Sequence, residues 1–253
     1  MLKKVTISVF ALAAVFFLCC ACSVKKAADS GKEFVVIEMF SSEGCSSCVS
    51  AEILMNKIIH KADSLSQPIY VLDFHVDYWD YIGWKDTLAI HNNTDRQNVY
   101  AQLFKLNSIY TPQAVFNGRE EAVGGDEDAV SAAIYKEMQI PQQVSIACKT
   151  SKINNSKIQI EYSVTGNMSD CNLNIALVES DLTVKVKKGE NAGKTMHHSN
   201  AVRAFKSIKM ESANGKCEFD LPNVDLSHSK IICYLQQNKG LSIIAATQLT
   251  VPQ

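Results

Sequence analysis

Cys45 and Cys48 stand two residues apart in "SSEGCSSCVSAEILMNKII", residues 41–59. Cys-x-x-Cys spacing supports three chemistries: a redox pair, half of a metal site, or a structural disulfide. The flanking sequence favours the first. "FVVIEMF" (34–40) is apolar and rich in β-branched residues, which predicts a buried strand. After the turn "SSEG", Val49, Ile53, Leu54, Ile58 and Ile59 recur at helical spacing. Cys45 then falls at a helix N-terminus, where free N–H groups and the helix dipole favour an anion. A thiolate is such an anion, so the Cys45 thiol is expected to titrate below the free value near ~8.5. Cys45 is the expected attacking sulfur. Cys48, one turn in, is the expected resolving one.

The elements around the pair must hold it in place. "PIYVLDFHV" (68–76) reads as a second strand and completes a β-α-β unit, the setting in which Cys-x-x-Cys reads as a thioredoxin-type redox motif. "AVFNGREEAV" (114–123) reads as a hairpin turning at Asn117-Gly118, with Thr111-Pro112 just before it. "DEDAVSAAIYKEM" (126–138) predicts a helix with Asp126 as N-cap and Val130, Ala133, Ile134 and Met138 on one face.

A Cys-x-x-Cys at a helix start, a Thr-Pro before a glycine-turn hairpin and a closing helix together resemble thioredoxin. The resemblance implies a cis Pro112 facing the cysteines, with the Thr111-Pro112 backbone pairing with substrate. It also implies that Glu38, on the strand leading into the motif, is a buried carboxylate beneath the resolving cysteine that takes part in proton transfer. Burial would raise its pKa and suit that task. The alternative places Glu38 facing outward at a strand edge. A closer resemblance rests on "EMFSSEGCSSC", "FHVDYWDYIGWKD", "DRQNVYA", "YTPQAVFNG" and "GENAGKTMHHSNAVR". These motifs resemble an exported thioredoxin-like family known only as a domain of unknown function, DUF1223, over roughly Phe34 to Arg203. That likeness implies the fold and a redox role, and no substrate.

Between the second strand and Pro112 lies an insertion, 77–107. Its aromatics Tyr78, Trp79, Tyr81 and Trp84 fit either a partner-binding lip or local core. Core is the expectation for most, with Trp79 or Trp84 exposed. A helix is expected over 94–106.

After Ile140-Pro141 the apolar period becomes two. "QVSIACKT", "KIQIEYSVTG", "CNLNIALVES", "LTVKVKKG", "AVRAFKSIKM", "CEFDLP", "KIICYLQQ" and "LSIIAATQLTV" are strand-like runs between polar turns. They argue for an all-β, sandwich-like domain. Cys148, Cys171, Cys217 and Cys233 share the apolar side of their runs. They read as disulfides of undetermined pairing, which export favours, or as inert buried thiols. His197 and His198 lie in the loop-like "GENAGKTMHHSN" with no cysteine pair or carboxylate partner beside them in sequence, so no metal is assigned to them. The glycines of that stretch lack phosphate-loop spacing. No cofactor motif is found and none is expected.

Lys3 and Lys4 precede an uncharged run, Val5 to Leu18, which reads as an export signal. It falls short of the ~20 residues of a spanning helix. Ala21 before Cys22 resembles a lipobox, making Cys22 a lipidation candidate. Plain cleavage giving a secreted soluble protein is the alternative, and a retained anchor a third. The expected organisation is a leader (1–22), a polar tether (23–32), an α/β thioredoxin-like domain (33–140) and a β-sandwich-like domain (141–253). The expected location is a bacterial cell envelope, periplasmic side. A net charge of −1 leaves no nucleic-acid footprint.

The leading functional expectation is a thiol–disulfide oxidoreductase acting on protein or small thiols and disulfides, served by an unidentified envelope redox partner. One alternative is a Cu(I) chaperone using Cys45, Cys48 and His75. The other is a non-catalytic binding lipoprotein in which Cys45–Cys48 is a staple.

Overall fold

A computed structural model describes residues 33–252. The leader, the tether and Cys22 lie outside the described residues. Among the described residues no helix is long and apolar enough to cross a membrane.

The predicted elements of the first half are present, with the first helix opening at Cys48 rather than at Cys45. Strand β1 (Val35–Ser41), helix α1 (Cys48–Leu65) and strand β2 (Ile69–His75) make a β-α-β unit with β1 and β2 parallel, Val35 opposite Ile69. The insertion carries a 3-10 turn at Asp80–Ile82 and helix α2 (His91–Phe104), which starts three residues earlier than its apolar spacing predicts. Strands β3 (Gln113–Phe116) and β4 (Glu120–Val123) form the hairpin. Asn117 and Gly118 turn it with φ of 45° and 66°, the left-handed pair such a tight turn needs. A side chain at Gly118 would also run into the backbone carbonyl of Leu241. Helix α3 (Glu127–Glu137) is capped by the Asp126 carboxylate, which accepts from the Ala129 N–H at 3.0 Å.

Nine further strands follow: β5 (Ser145–Asn154), β6 (Lys157–Thr165), β7 (Cys171–Glu179), β8 (Leu182–Lys185), β9 (Thr195–His198), β10 (Ala201–Lys209), β11 (Asn214–Asp220), β12 (Ser229–Gln237) and β13 (Ile243–Thr250). They do not build a separate sandwich. Four of them extend the first sheet, giving one mixed eight-stranded sheet in the order β13-β12-β7-β10-β2-β1-β3-β4. The expectation of an α/β thioredoxin-like domain followed by an all-β sandwich-like domain is therefore corrected. The protein is mostly β, and its large sheet runs through both halves of the chain.

The physical reason is the edge of β2. A β-α-β unit and hairpin alone would leave that edge unpaired, a liability in any sheet. Here β10 closes it in parallel, with Ala201 opposite Asp73. Asn200 reinforces the join: its carbonyl accepts from the Asp73 N–H at 3.0 Å, and its side-chain amide donates to the Val71 carbonyl at 3.1 Å. Strands β7 and β12 consequently lie inside the sheet, buried on both faces.

Alternation along the strands sorts three cores. On one face Val36, Phe40, Leu72, Phe74, Val178 and Tyr234 pack with Tyr100 of α2. On the other face Val35, Ile37, Met39 and Val71 pack beneath α1 and α3. Further along that same face the small sheet β11-β6-β5 covers Leu173, Ile175, Leu177, Ile231 and Leu235. The hairpin β8-β9 belongs to neither sheet. It leaves the large sheet after β7, packs β9 on α1 and returns as β10.

Candidate functional site

Cys45 and Cys48 form a disulfide, with Cα atoms 5.4 Å apart. Cys48 is the first residue of α1, at the positive end of its dipole, and Cys45 lies in the turn ahead of it. The Cys48 N–H donates to the Cys45 carbonyl at 3.2 Å, and the Cys45 Sγ lies 3.3 Å from the Ser47 hydroxyl. Both cysteines are buried, at 1% and 0% exposure.

The cover comes from the second half of the chain. The side-chain amide of Asn191 donates to the carbonyls of both Glu43 and Cys45, each at 2.9 Å. The Glu190 carboxylate accepts from the Ser46 N–H at 3.1 Å, and hydrogen bonding to the Ser46 side chain first, then to its backbone N–H, holds it below the usual carboxylate range. Glu190 and Asn191 thus strap the cysteine turn. "GENAG" was legible as a loop, and its contact with a turn some 145 residues earlier carries no local signal.

Trp79 closes another side. It sits against Gly44, where an added Cβ would come 3.0 Å from the Trp79 Cβ, and its indole N–H donates to the Thr111 hydroxyl at 2.8 Å. Thr111-Pro112 is a cis peptide, as the resemblance implied. Pro112 lies across Gly124 from Ala51 in the first turn of α1. Trp79 thus links Thr111 to Gly44 of the cysteine turn, and Pro112 lies beside the first turn of α1. Trp79 and Trp84 are half-buried, and the exposed aromatic of the insertion is Tyr81.

Glu38 is not gathered there. On β1 it shares the face of Val36 and Phe40, so it points to the α2 face and away from α1. It is fully buried and takes a bidentate pair from Arg96 of α2, at 2.7 and 2.6 Å, plus the Tyr234 hydroxyl at 2.7 Å. The Arg96 guanidinium lies over the rings of Phe205, Tyr100 and Phe74 at 4.9, 5.5 and 5.6 Å. The expected proton-transfer role is corrected by parity: an even step along β1 from Phe40 puts Glu38 on the wrong face.

The buried polar groups on the α1 face are others. Asp73 and His75 alternate along β2 toward α1, and Glu52 lies one helical turn after Cys48 on the same face of α1. His198 of β9 completes the group, its Nδ1 2.7 Å from the Glu52 carboxylate and its ring centroid 4.8 Å from that of His75. Asp86 accepts from His75 Nδ1 at 2.7 Å and from the backbone N–H groups of Glu43 and Leu88. Burial raises the Glu52 pKa, and the neighbouring Asp73 charge adds to it. Burial disfavours charge on both rings, yet their carboxylate neighbours win: His198 is pushed up to about 9 and His75 well above its ordinary value. The His75 contacts hold Asp86 down at about 2 against its own burial.

Sequence reasoning placed His198 in a polar loop without partners, and missed Glu43, Glu52, Asp73 and Asp86. Two signals were present: the four-residue step from Cys48 to Glu52, and the two-residue step from Asp73 to His75. His75 keeps company with carboxylates, and the cation-capable group it belongs to contains no cysteine. The set Cys45, Cys48 and His75 expected for Cu(I) is not assembled.

Cys148, Cys171, Cys217 and Cys233 are free thiols, which corrects the expectation of disulfides among them. Contact with Cys148 and burial push the Cys233 pKa well up.

The fold and site define a mostly β protein built on one large mixed sheet, with a bridged cysteine pair at a helix N-terminus that a loop from its own second half covers. Its sequence matches the family described as "Protein of unknown function (DUF1223)" over residues 36–236, and the chain belongs to that family. A crystal structure of a protein from Agrobacterium tumefaciens is similar at 26% identity and a TM-score of 0.66, over 88% of this chain and 96% of that one. A domain of the outer membrane lipoprotein Omp28 from Porphyromonas gingivalis aligns over 44% of this chain and 88% of its own length, at 8% identity and a TM-score of 0.28. No curated protein matches the chain.

Proposed function

We propose that this chain is an envelope-exported thiol–disulfide oxidoreductase working through Cys45 and Cys48. The observation that carries the reading is the bridge itself, closed at the start of an 18-residue helix. A bridge across so short a loop removes little unfolded-chain entropy, so stability alone gives it little reason to exist. The helix N-terminus gives it a chemical reason, since it favours the thiolate form.

In the reduced protein the Cys45 thiolate attacks one sulfur of a substrate disulfide. A mixed disulfide forms and one substrate thiolate leaves. The Cys48 thiolate then attacks Cys45 Sγ, the Cys45–Cys48 bond forms, and the second substrate thiolate leaves. The substrate is reduced by two electrons and the pair is oxidised; the reverse sequence oxidises a substrate dithiol. On this reading Cys45 is the attacking sulfur because it lies in the turn ahead of the helix. Cys48 is fixed in the first helical turn. Substrate reaches Cys45 by lifting the strap and docks along Thr111-Pro112.

The partners on this reading are protein or small thiols and disulfides and an envelope redox partner that restores the pair. Export and lipidation at Cys22 belong to the same reading and rest on the leader sequence. The experiment is to express Cys48→Ser and look for a trapped mixed disulfide on Cys45. Covalent adducts that vanish on reduction, and are absent from the Cys45→Ser variant, support the reading. A Cys48→Ser protein whose Cys45 forms no adduct with any disulfide in the native state removes it.

A further inference from the structure

Beneath the cysteine turn, three elements bring four buried ligand-type side chains together: Glu52 from α1, Asp73 and His75 from β2, and His198 from β9. One ligand atom from each lies within 4.8 Å of all the others. All four residues are at least 95% buried. We infer that this cluster is a binding site for one divalent transition-metal cation, ligated by two imidazoles and two carboxylates.

Unpartnered atoms point to a ligand independently of the clustering. Asp73 Oδ2 and His75 Nε2 face each other at 3.2 Å without hydrogen-bond geometry, and neither has another partner. His198 Nε2 is likewise unpartnered, 3.6 Å from an unpartnered Glu43 Oε1. Buried polar atoms are normally satisfied, so such a group in one place calls for an explanation, and an ion is one.

The surroundings are those of a metal site. The other nitrogen of His75 is held by Asp86 at 2.7 Å, the carboxylate–histidine arrangement that orients an imidazole and leaves its far lone pair free. The second Asp73 oxygen accepts from the Ser41 hydroxyl at 2.6 Å, which fixes that carboxylate too. Zinc bonds of about 2.0–2.2 Å put tetrahedral ligands about 3.4 Å apart, so torsions must close the widest gap by about 1.4 Å. Mixed nitrogen and oxygen donors suit zinc and its first-row neighbours, and do not suit Cu(I). A groove between α1 and β9 has Glu52 in its lining, together with Asn56, Lys57, His60 and His197.

The site is independent of the redox reading, because no cysteine ligates. The test uses the purified full chain, stripped with chelator and titrated with Zn2+ alone, then with Co2+ as a spectroscopic reporter. The expected result is one ion per chain and a raised unfolding midpoint. The Co2+ spectrum should show nitrogen and oxygen ligation without a thiolate charge-transfer band. Asp73→Asn and His198→Gln should each weaken binding at least 100-fold. Asp86→Asn should weaken it 10- to 100-fold. Cys45→Ser/Cys48→Ser should bind as the parent does. Circular dichroism shows which variants fold, and the titration of the parent chain decides the matter if the ligand variants do not. A stripped parent that takes up no Zn2+ overturns the inference. So does binding that survives in folded His198→Gln, or binding that disappears with the cysteines.

Discussion

The side chain of Asn191 holds the Cys45 carbonyl, its amide donating at 2.9 Å from 146 residues away. A second donation at 2.9 Å goes to the Glu43 carbonyl. A loop from the second half of the chain thereby covers a motif in the first. Asn191→Ala removes both bonds. At about 1 kcal/mol each, the open state of the strap should gain about 30-fold. Reduction of the native disulfide by a small phosphine should accelerate by about that factor, read by quenched thiol labelling. An unchanged rate would show that the strap does not gate Cys45.

Acid should release the same strap through Glu190. Its hydrogen bonds with Ser46 hold its pKa below the ordinary 4.5, with a smaller contribution from Lys194. A depressed carboxylate stabilises the clasped form above its unfolded pKa, and that contribution is lost as pH falls through the folded value. Phosphine reduction of the pair should therefore speed up as pH drops below about 4.5 in the parent. Glu190→Gln should be faster at neutral pH and lack that acid step. A parent profile that matches Glu190→Gln would remove Glu190 from the clasp.

On the opposite face of the sheet, Arg96→Ala leaves Glu38 fully buried without its cation. Breaking one partner of a buried pair costs about 3–5 kcal/mol. Denaturant unfolding should show that loss, while the reduction potential of Cys45–Cys48 stays where it was. A shift in that potential on Arg96→Ala or Glu38→Gln would return Glu38 to the redox machinery.

The four cysteines of the second half should label as free thiols without reductant. Cys148 and Cys217 are half-buried and should react in the native state, whereas Cys171 and Cys233 should need unfolding. Alkylation before and after denaturation, read by peptide mass mapping, checks this. A Cys148–Cys233 disulfide in the mapped peptides would contradict it.

Local pattern explains what the sequence revealed. The strands and helices around Cys45 announce themselves because hydrophobic period, the Asn117-Gly118 turn and the Asp126 cap are short-range signals. The strands of the second half were equally visible as strands. Their sheet was not, because alternation shows that a strand has a buried face without naming its neighbour. The pairing of Ala201 with Asp73 joins positions 128 residues apart, and only the unpaired edge of β2 demands it. Glu38 was misplaced by one step of strand parity, the error that moves a side chain to the opposite face. His198 was legible as a histidine and illegible as a partner of Glu52, since β9 is a four-residue strand that follows a glycine-containing loop.

The central claim is that Cys45–Cys48 is a working redox pair. The most direct measurement equilibrates the native full chain across a series of thiol–disulfide buffers and reads the pair by mass-tagged thiol trapping. The account predicts reversible, two-electron titration of the folded protein at a potential between about −270 and −120 mV, the range of known thiol–disulfide enzymes. A pair that stays oxidised below about −300 mV, and opens only when the fold melts, would make the bridge a staple and contradict the account.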